Sequence, residues 1–333
     1  MQPFSYARPT TQKEALEHLG ANYDESAILA GGTDLLSLMK NYVVSPKRLV
    51  DIRGVKEFGG ITWSNGGGKI GATVTLQELA DDPGAQKSFP GLAAAAAGVP
   101  SMQIRNMGTV GGDLCQRPRC WYFRNGFGLL ARDAKGKALV PGGDNRYHAI
   151  LGNEGPAYFV SPSSLAPVLI ALGAELEIVG ASGTRKLALE KFYRAPHGEH
   201  EREYSLAANE IVAAVILPKG AEAWRTAIYE VREKQALDWP LVSAAVALQT
   251  IPDGREARIV LGHVAPVPWR SQPAEQAIGA VSSLLRNAPD AERTAAKAGE
   301  AAVHGAHPLS GNKYKVQLAR VAVKRAILAA GRA

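Results

Sequence analysis

Two pairs of adjacent glycines stand where a backbone could hold an anion. Gly31-Gly32 lies where the apolar run Ala27-Ile-Leu-Ala30 hands over to the helical pattern DLLSLMKN, with Thr33-Asp34 at the helix start. Tandem glycines let the chain turn with positive φ and leave N–H groups uncovered, and a helix N-terminus adds the positive end of its dipole. A diphosphate suits that environment, although one such pair alone is more often a tight turn that needs glycine. Thr109-Val-Gly-Gly-Asp113 repeats the device in another segment. Two such loops with hydroxyl neighbours can grip one diphosphate from two sides. Asp113 would repel a phosphate directly, so it reads as an acceptor for a ribose or ribityl hydroxyl. A third run, GGGKIG (66–71), formally fits G-x-G-x-x-G. That motif needs a helix after its glycines, whereas IGATVTL alternates like a strand, so a hairpin turn is expected there.

The elements that must carry these loops follow from patterning. TQKEALEHLG (11–20) opens with Thr11 and Glu14 as a capping box and closes on Gly20. Strand 27–30, helix 34–41 and strand 48–52 then make a small βαβ unit over the first 55 or so residues. Short strands begin at Ile61, an Ala-rich helix spans Leu92–Gly98, and 115–155 is a long polar insertion. A helix over Leu165–Leu172 precedes strands Ala174–Val179 and Glu210–Leu217. After a boundary near Lys219–Ala223 come three strands (Thr226–Arg232, Leu241–Gln249, Ala257–Val264) and three helical patterns (274–286, 290–303, 312–330). The fold class is α+β. The expected domains are 1–222, with subdomains of about 1–55 and 56–222, and 223–333; 333 residues suffice for two or three cores.

The chain carries a net charge of +7, but its densest basic stretch is thin: Arg117, Arg119, Arg124, then Arg132, Lys135 and Lys137. Nucleic-acid binders concentrate charge more strongly. A basic rim around an anionic cofactor, or facing an acidic partner, explains the same balance. Two cysteines, Cys115 and Cys120, make neither a disulfide framework nor a four-ligand metal set, which points to a reducing compartment. No signal peptide is visible, and the most apolar runs, Ala93–Ala97 and Leu165–Ala174, fall short of the roughly 20 residues of a membrane span. The expectation is a cytoplasmic chain, unless it is exported as a passenger on a partner.

ILAGGTDLLSLMK (28–40) and RNMGTVGGDL (105–114) resemble the two flavin-binding signatures of the FAD subunit in the xanthine dehydrogenase and CO dehydrogenase family of molybdenum hydroxylases. LVDI (49–52), IGATVTLQEL (70–79), SPSSLAPVLIALGA (161–174), NEIVAAVILPK (209–219), the Leu241–Leu248 strand and GNKYKV (311–316) follow in family order, so the likeness covers nearly the whole chain. The resemblance implies a PCMH-type FAD-binding domain of two α/β subdomains, then a three-stranded antiparallel sheet with a three-helix bundle. By the same likeness Ile28, Leu29, Ala30, Gly31, Gly32, Thr33, Asp34 and Leu35, with Thr109, Val110, Gly111, Gly112 and Asp113, hold the diphosphate and ribityl chain. Ser163 and Ser164 stand where the family often has Ser-Asp near the adenine-side ribose, Ser164 replacing the acid. Ile211 and Val212 would pack on the flavin ring. Segment 230–239 matches a loop near the isoalloxazine, with Asp238 and Trp239 as flavin-tuning candidates.

GGDLCQRPRCWYFRNG (111–126) and NRYHAILGN (145–153) resemble an insertion-bearing branch, that of aldehyde oxidoreductase and 4-hydroxybenzoyl-CoA reductase flavin subunits. In some members the insertion carries four cysteines and a [4Fe–4S] cluster. Here Cys120 keeps its place and Cys115 is added, but 125–157 holds no cysteine, and Gly155-Pro-Ala157 stands at the later ligand site. A cubane cluster needs about four thiolates, so no iron–sulfur cluster and no metal site are expected in this chain. Cys115 and Cys120 then read as ordinary partly buried thiols, and His148, which could ligate a metal, reads as the hydrogen-bonded structural residue that a lone histidine more often is. The implied function is an oxidoreductase's electron-transfer subunit. It would work with a molybdopterin-binding large subunit and a [2Fe–2S] small subunit, and pass electrons to NAD⁺, O₂ or a quinone. A stand-alone flavin oxidase and a colourless nucleotide-binding scaffold are the alternatives.

Overall fold

Three short strands make the first sheet: β1 (Ser5–Ala7), β2 (Ala27–Leu29) and β3 (Arg48–Asp51), parallel and in the order β1-β3-β2. Parallel neighbours need a crossover, which the helix Leu35–Lys40 supplies by burying Leu38 and Met39. The computed structural model describes residues 1–234, 238–251, 254–279, 284 and 290–332.

The second sheet comprises β4 (Ile61–Ser64), β5 (Gly67–Gly71), β6 (Glu175–Gly180), β7 (Gly183–Ala188) and β8 (Glu210–Leu217), antiparallel and ordered β4-β5-β8-β6-β7. The GGGKIG run is a hairpin, turning at Asn65-Gly66 with φ of 51° and 71°, the two positive values that a tight two-residue hairpin turn wants. The strand does not run on through IGATVTL as its alternation suggested. It stops at Gly71, because Thr75 and Glu78 form a capping box that starts the helix Leu76–Asp81.

The third sheet is antiparallel: β9 (Arg225–Val231), β10 (Val242–Ile251), β11 (Gly254–Gly262) and the two-residue β12 (Trp269–Arg270), ordered β12-β11-β10-β9. The three long strands are those expected, and β12 extends them by an edge. Helices Gln272–Ile278, Ala291–Ala302 and Tyr314–Arg332 pack on one face. The rest of the 274–286 pattern, apart from Gly279 and Leu284, lies outside the described residues.

From Val242 to Leu248 β10 is buried on both faces, and its alternation sorts side chains by size. Val242, Ala244, Val246 and Leu248 join the core under the C-terminal helices, while Ala245 and Ala247 face the core of the preceding unit. On that second face the helix Ala166–Ala171 packs against β10 and β11, while Pro90–Ala97 lies against β9, where Gly91 N–H donates to Thr226 Oγ1 at 3.1 Å.

The insertion has one short helix, Trp121–Arg124, and is otherwise turns. Its far end is laced to the C-terminal helices. Gly311 N–H donates to Asn145 Oδ1 at 2.8 Å, and Asn312 Nδ2 donates to the carbonyls of His148 and Ala149. Lys315, fully buried, donates from Nζ to the carbonyls of Tyr147, His148 and His263. Burial pushes its ammonium down to about 7. Among the described residues no helix is long and apolar enough to cross a membrane.

Candidate cofactor site

Both diglycine segments open on one cavity. Ile28, Ala30, Gly31, Gly32, Thr33, Asp34 and Leu35 line it from the first segment, Thr109, Gly111 and Gly112 from the second, and Ile211 and Val212 from β8. The two segments also touch. A Cβ on Gly31 would sit 1.8 Å from the Met107 carbonyl oxygen and 3.0 Å from Gly108 Cα.

Their chemistry differs, however. Gly32 has φ of 71°, the left-handed turn the strand-to-helix handover requires. Of the amides that follow, Leu36 donates to Gly32 O and Ser37 to Asp34 O, both at 3.2 Å, while those of Thr33, Asp34 and Leu35 have no acceptor among the described residues, as the first N–H groups of a helix do not. The second segment is not a loop but the first turn of a helix, Val110–Cys115, capped by Thr109. Its amides are already used: Val110 donates to Val74 O, Gly111 to Ala72 O, Asp113 to Thr109 O, and Gly112 to Thr109 Oγ1. What it offers instead is closeness. A Cβ on Gly111 would meet Ala72 Cβ at 2.8 Å, whereas one on Gly112 would meet only the Thr109 hydroxyl, at 3.0 Å. The Gly112 face is therefore bare.

Asp34 lines the cavity with its charge already matched. Its carboxylate accepts from Arg119 Nη1 at 2.8 Å, Arg124 Nη2 at 2.7 Å and the Arg117 amide at 2.8 Å. The insertion thus grips the first glycine segment. Burial and the neighbouring Arg124 bring Arg119 down to about 10, still charged at neutral pH. Arg119 also lies over the ring of Trp239, 4.2 Å from its centroid. Asp238 accepts from the Lys234 amide at 2.9 Å. Neither Asp238 nor Trp239 lines the cavity, and residues 235–237 of that loop lie outside the described residues.

Leu29 and Val110 are buried behind the wall. Asp113, Ser163 and Ser164 are buried away from it and bound to one another. The Asp113 carboxylate accepts from Ser163 Oγ, the amides of Ser164 and Leu165, and Gln116 Nε2. Its acceptors are committed to protein, in contrast to the free hydroxyl acceptor expected from the sequence. Burial raises its pKa despite those bonds.

Sequence reasoning missed part of the wall. Tyr23, Arg117, Cys115, Arg202 and Tyr204 all line the cavity. Arg117 pairs with buried Glu203. The Cys115 thiol is pushed up to about 12, chiefly by burial, which keeps it protonated. Cys120 Sγ lies 3.2 Å from His148 Nε2, and burial pushes that imidazole down to about 4. Both cysteines are free, and among the described residues no three His, Cys, Asp or Glu side chains are grouped to hold a metal ion. No local pattern marks Tyr23 or Arg202, which reach the cavity only through tertiary folding.

The wall joins uncovered amides and cations to apolar residues such as Ile28, Leu38, Ile52 and Val212. That mixture, with a glycine face bare enough for close approach, fits FAD, which carries a diphosphate between two flat rings. Comparisons with known proteins agree. The family described as FAD binding domain in molybdopterin dehydrogenase matches residues 2–220, and the CO dehydrogenase flavoprotein C-terminal domain matches 227–330. The aldehyde oxidoreductase FAD-binding subunit PaoB of Escherichia coli is 31% identical over 96% of each chain. The carbon monoxide dehydrogenase medium chain of Hydrogenophaga pseudoflava is 28% identical over 98% of this chain and 96% of its own. Among solved structures, quinoline 2-oxidoreductase from Pseudomonas putida 86 matches with a TM-score of 0.74 at 27% identity, covering 99% of this chain and 98% of that one. With the glycine segments converging on one cavity and both halves matched, the chain belongs to the FAD-binding subunits of the molybdopterin dehydrogenase family, and is an oxidoreductase flavoprotein subunit.

Proposed function

We propose that this chain is the electron-transfer flavin subunit of a complex with a molybdopterin-binding large subunit and a [2Fe–2S] small subunit. It would take electrons from the small subunit and pass them to NAD⁺, O₂ or a quinone. The observation that carries the reading is the single cavity shared by the two glycine segments. Bound FAD would supply the redox chemistry. The residues of this chain bind, orient and shield it. The amides after Gly32 would take the diphosphate, Gly112 would let the ligand approach the backbone, and Ile211 and Val212 would give an apolar contact for a ring. Asp34, held by Arg119 and Arg124, would keep the first segment in place. We assign the tuning of flavin potential to Asp238 and Trp239, the latter through its contact with Arg119.

The first test is an absorbance scan of the purified chain, expected to show flavin bands near roughly 370 and 450 nm, generic to flavins, with FAD released on denaturation. Co-purification with tagged chain should then bring down two further subunits carrying molybdenum, pterin and iron. Reoxidation of the reduced complex by NAD⁺, O₂ and a quinone in turn identifies the acceptor. A colourless chain that takes up no FAD overturns the proposal. Equal flavin potentials in wild type and Asp238→Ala would remove Asp238 from it.

A further inference from the structure

Three of the five charged residues on the cavity wall are neutralised by protein. Asp34 is held by Arg119 and Arg124, Arg117 by Glu203, and Glu210 by Arg185. Arg202 is the exception among the cations. Among the described residues its guanidinium forms no salt bridge and donates no hydrogen bond. It lies instead over the Tyr23 ring, its Cζ 3.7 Å from the centroid. Asp24 also lines the wall without pairing to it.

The backbone that carries Arg202 and the Tyr23 ring beneath it are each tied to their surroundings. Arg202 sits in the connection between β7 and β8. There Tyr204 stacks on Phe192 with ring centroids 5.4 Å apart, Tyr193 and Tyr204 form a β-bridge, and the Arg194 amide donates to Glu203 O at 3.1 Å. Across the cavity the Tyr23 hydroxyl donates to the Leu206 carbonyl, tying this connection to the first subdomain. A planar guanidinium stacked on an aromatic face keeps its edge donors free and pre-aimed, which suits bidentate recognition of phosphate. The same cavity holds the uncovered amides after Gly32.

We infer that Arg202, carried on the Tyr23 ring, recognises the phosphates of the dinucleotide and sets the preference of the cleft for FAD over an unphosphorylated flavin. The inference rests on the FAD reading above and adds a specificity-determining residue to it.

The experiment titrates the full-length chain, stripped of flavin, with FAD, ADP and riboflavin. Arg202→Gln should weaken FAD and ADP by about 10- to 100-fold, the scale of one charge-assisted hydrogen-bonded contact. Riboflavin affinity should stay within about twofold, since that ligand has no phosphate for the contact. Arg202→Lys should recover part of the loss, and it carries the test if the Gln variant fails to fold. Added salt should weaken FAD binding more in wild type than in Arg202→Gln, because the lost contact is between charges. FAD binding by Arg202→Gln within twofold of wild type overturns the inference alone. So does an equal loss of riboflavin, which would make Arg202 a structural brace. A wild-type chain that takes up no FAD overturns the FAD reading itself, and this inference with it.

Discussion

The two glycine pairs are alike in sequence and different in physics. Gly31-Gly32 is a turn between strand and helix, with one positive φ and free amides beyond it. Gly111-Gly112 is a helical turn whose amides are spent on Ala72 and Thr109, and its glycines serve to let surfaces meet. A pair of glycines can therefore mark a backbone that donates or a backbone that merely stays out of the way. Within each pair the two positions divide again: Gly31 and Gly111 are packed against protein, while Gly32 serves the turn and Gly112 faces open space.

Substitutions can break this comparison. The largest effect is expected for Gly31→Ala, where the new methyl would meet the Met107 carbonyl at 1.8 Å. Backbone cannot yield cheaply, so a loss of more than about 3 kcal/mol in urea unfolding is expected, together with loss of FAD. A near-normal unfolding midpoint would mean that the segments are not in contact. Next is Gly112→Leu. FAD at a hundred times its dissociation constant should stabilise the wild-type chain by about 2.7 kcal/mol, seen as a raised melting temperature. The variant should lose that shift, because its side chain would fill the bare face. Retention of the full shift would remove Gly112 from the site. Gly111→Ala should cost about 2 kcal/mol through overpacking on Ala72, with comparatively little change in FAD affinity once folded. The smallest effect should carry the opposite sign. Gly112→Ala replaces a helical glycine in nearly open space and should leave the flavin-free chain unchanged or stabilise it by up to about 1 kcal/mol, while weakening FAD. A destabilised flavin-free chain would show that the Thr109 hydroxyl contact at 3.0 Å cannot relax.

Much of the architecture was legible because local chemistry announced it. Thr11 and Thr75 sit where their side chains cap helices, and the strands of the third sheet stand out as apolar runs. The misreadings have physical causes as well. IGATVTL alternates like a strand, but a Thr75–Glu78 capping box ends the alternation. Thr109-Val-Gly-Gly-Asp113 looks like a loop because glycine disfavours helix, and only packing on Ala72 and the Thr109 cap make it helical. Asp113 reads as a free acceptor in one dimension, since nothing in the chain says that Ser163, Ser164 and Leu165 will fold back onto it.

The sequence by itself determined the positions of the turns, the strand and helix periods and the two glycine segments, because φ preferences, capping and apolar spacing act within a few residues. Only the tertiary structure decided that those segments share a cavity, that the insertion's arginines neutralise Asp34, and that Arg202 arrives beside Tyr23 with no ion-pair partner among the described residues. Those outcomes depend on which distant surfaces are buried against each other, and on which charges find partners once water is removed.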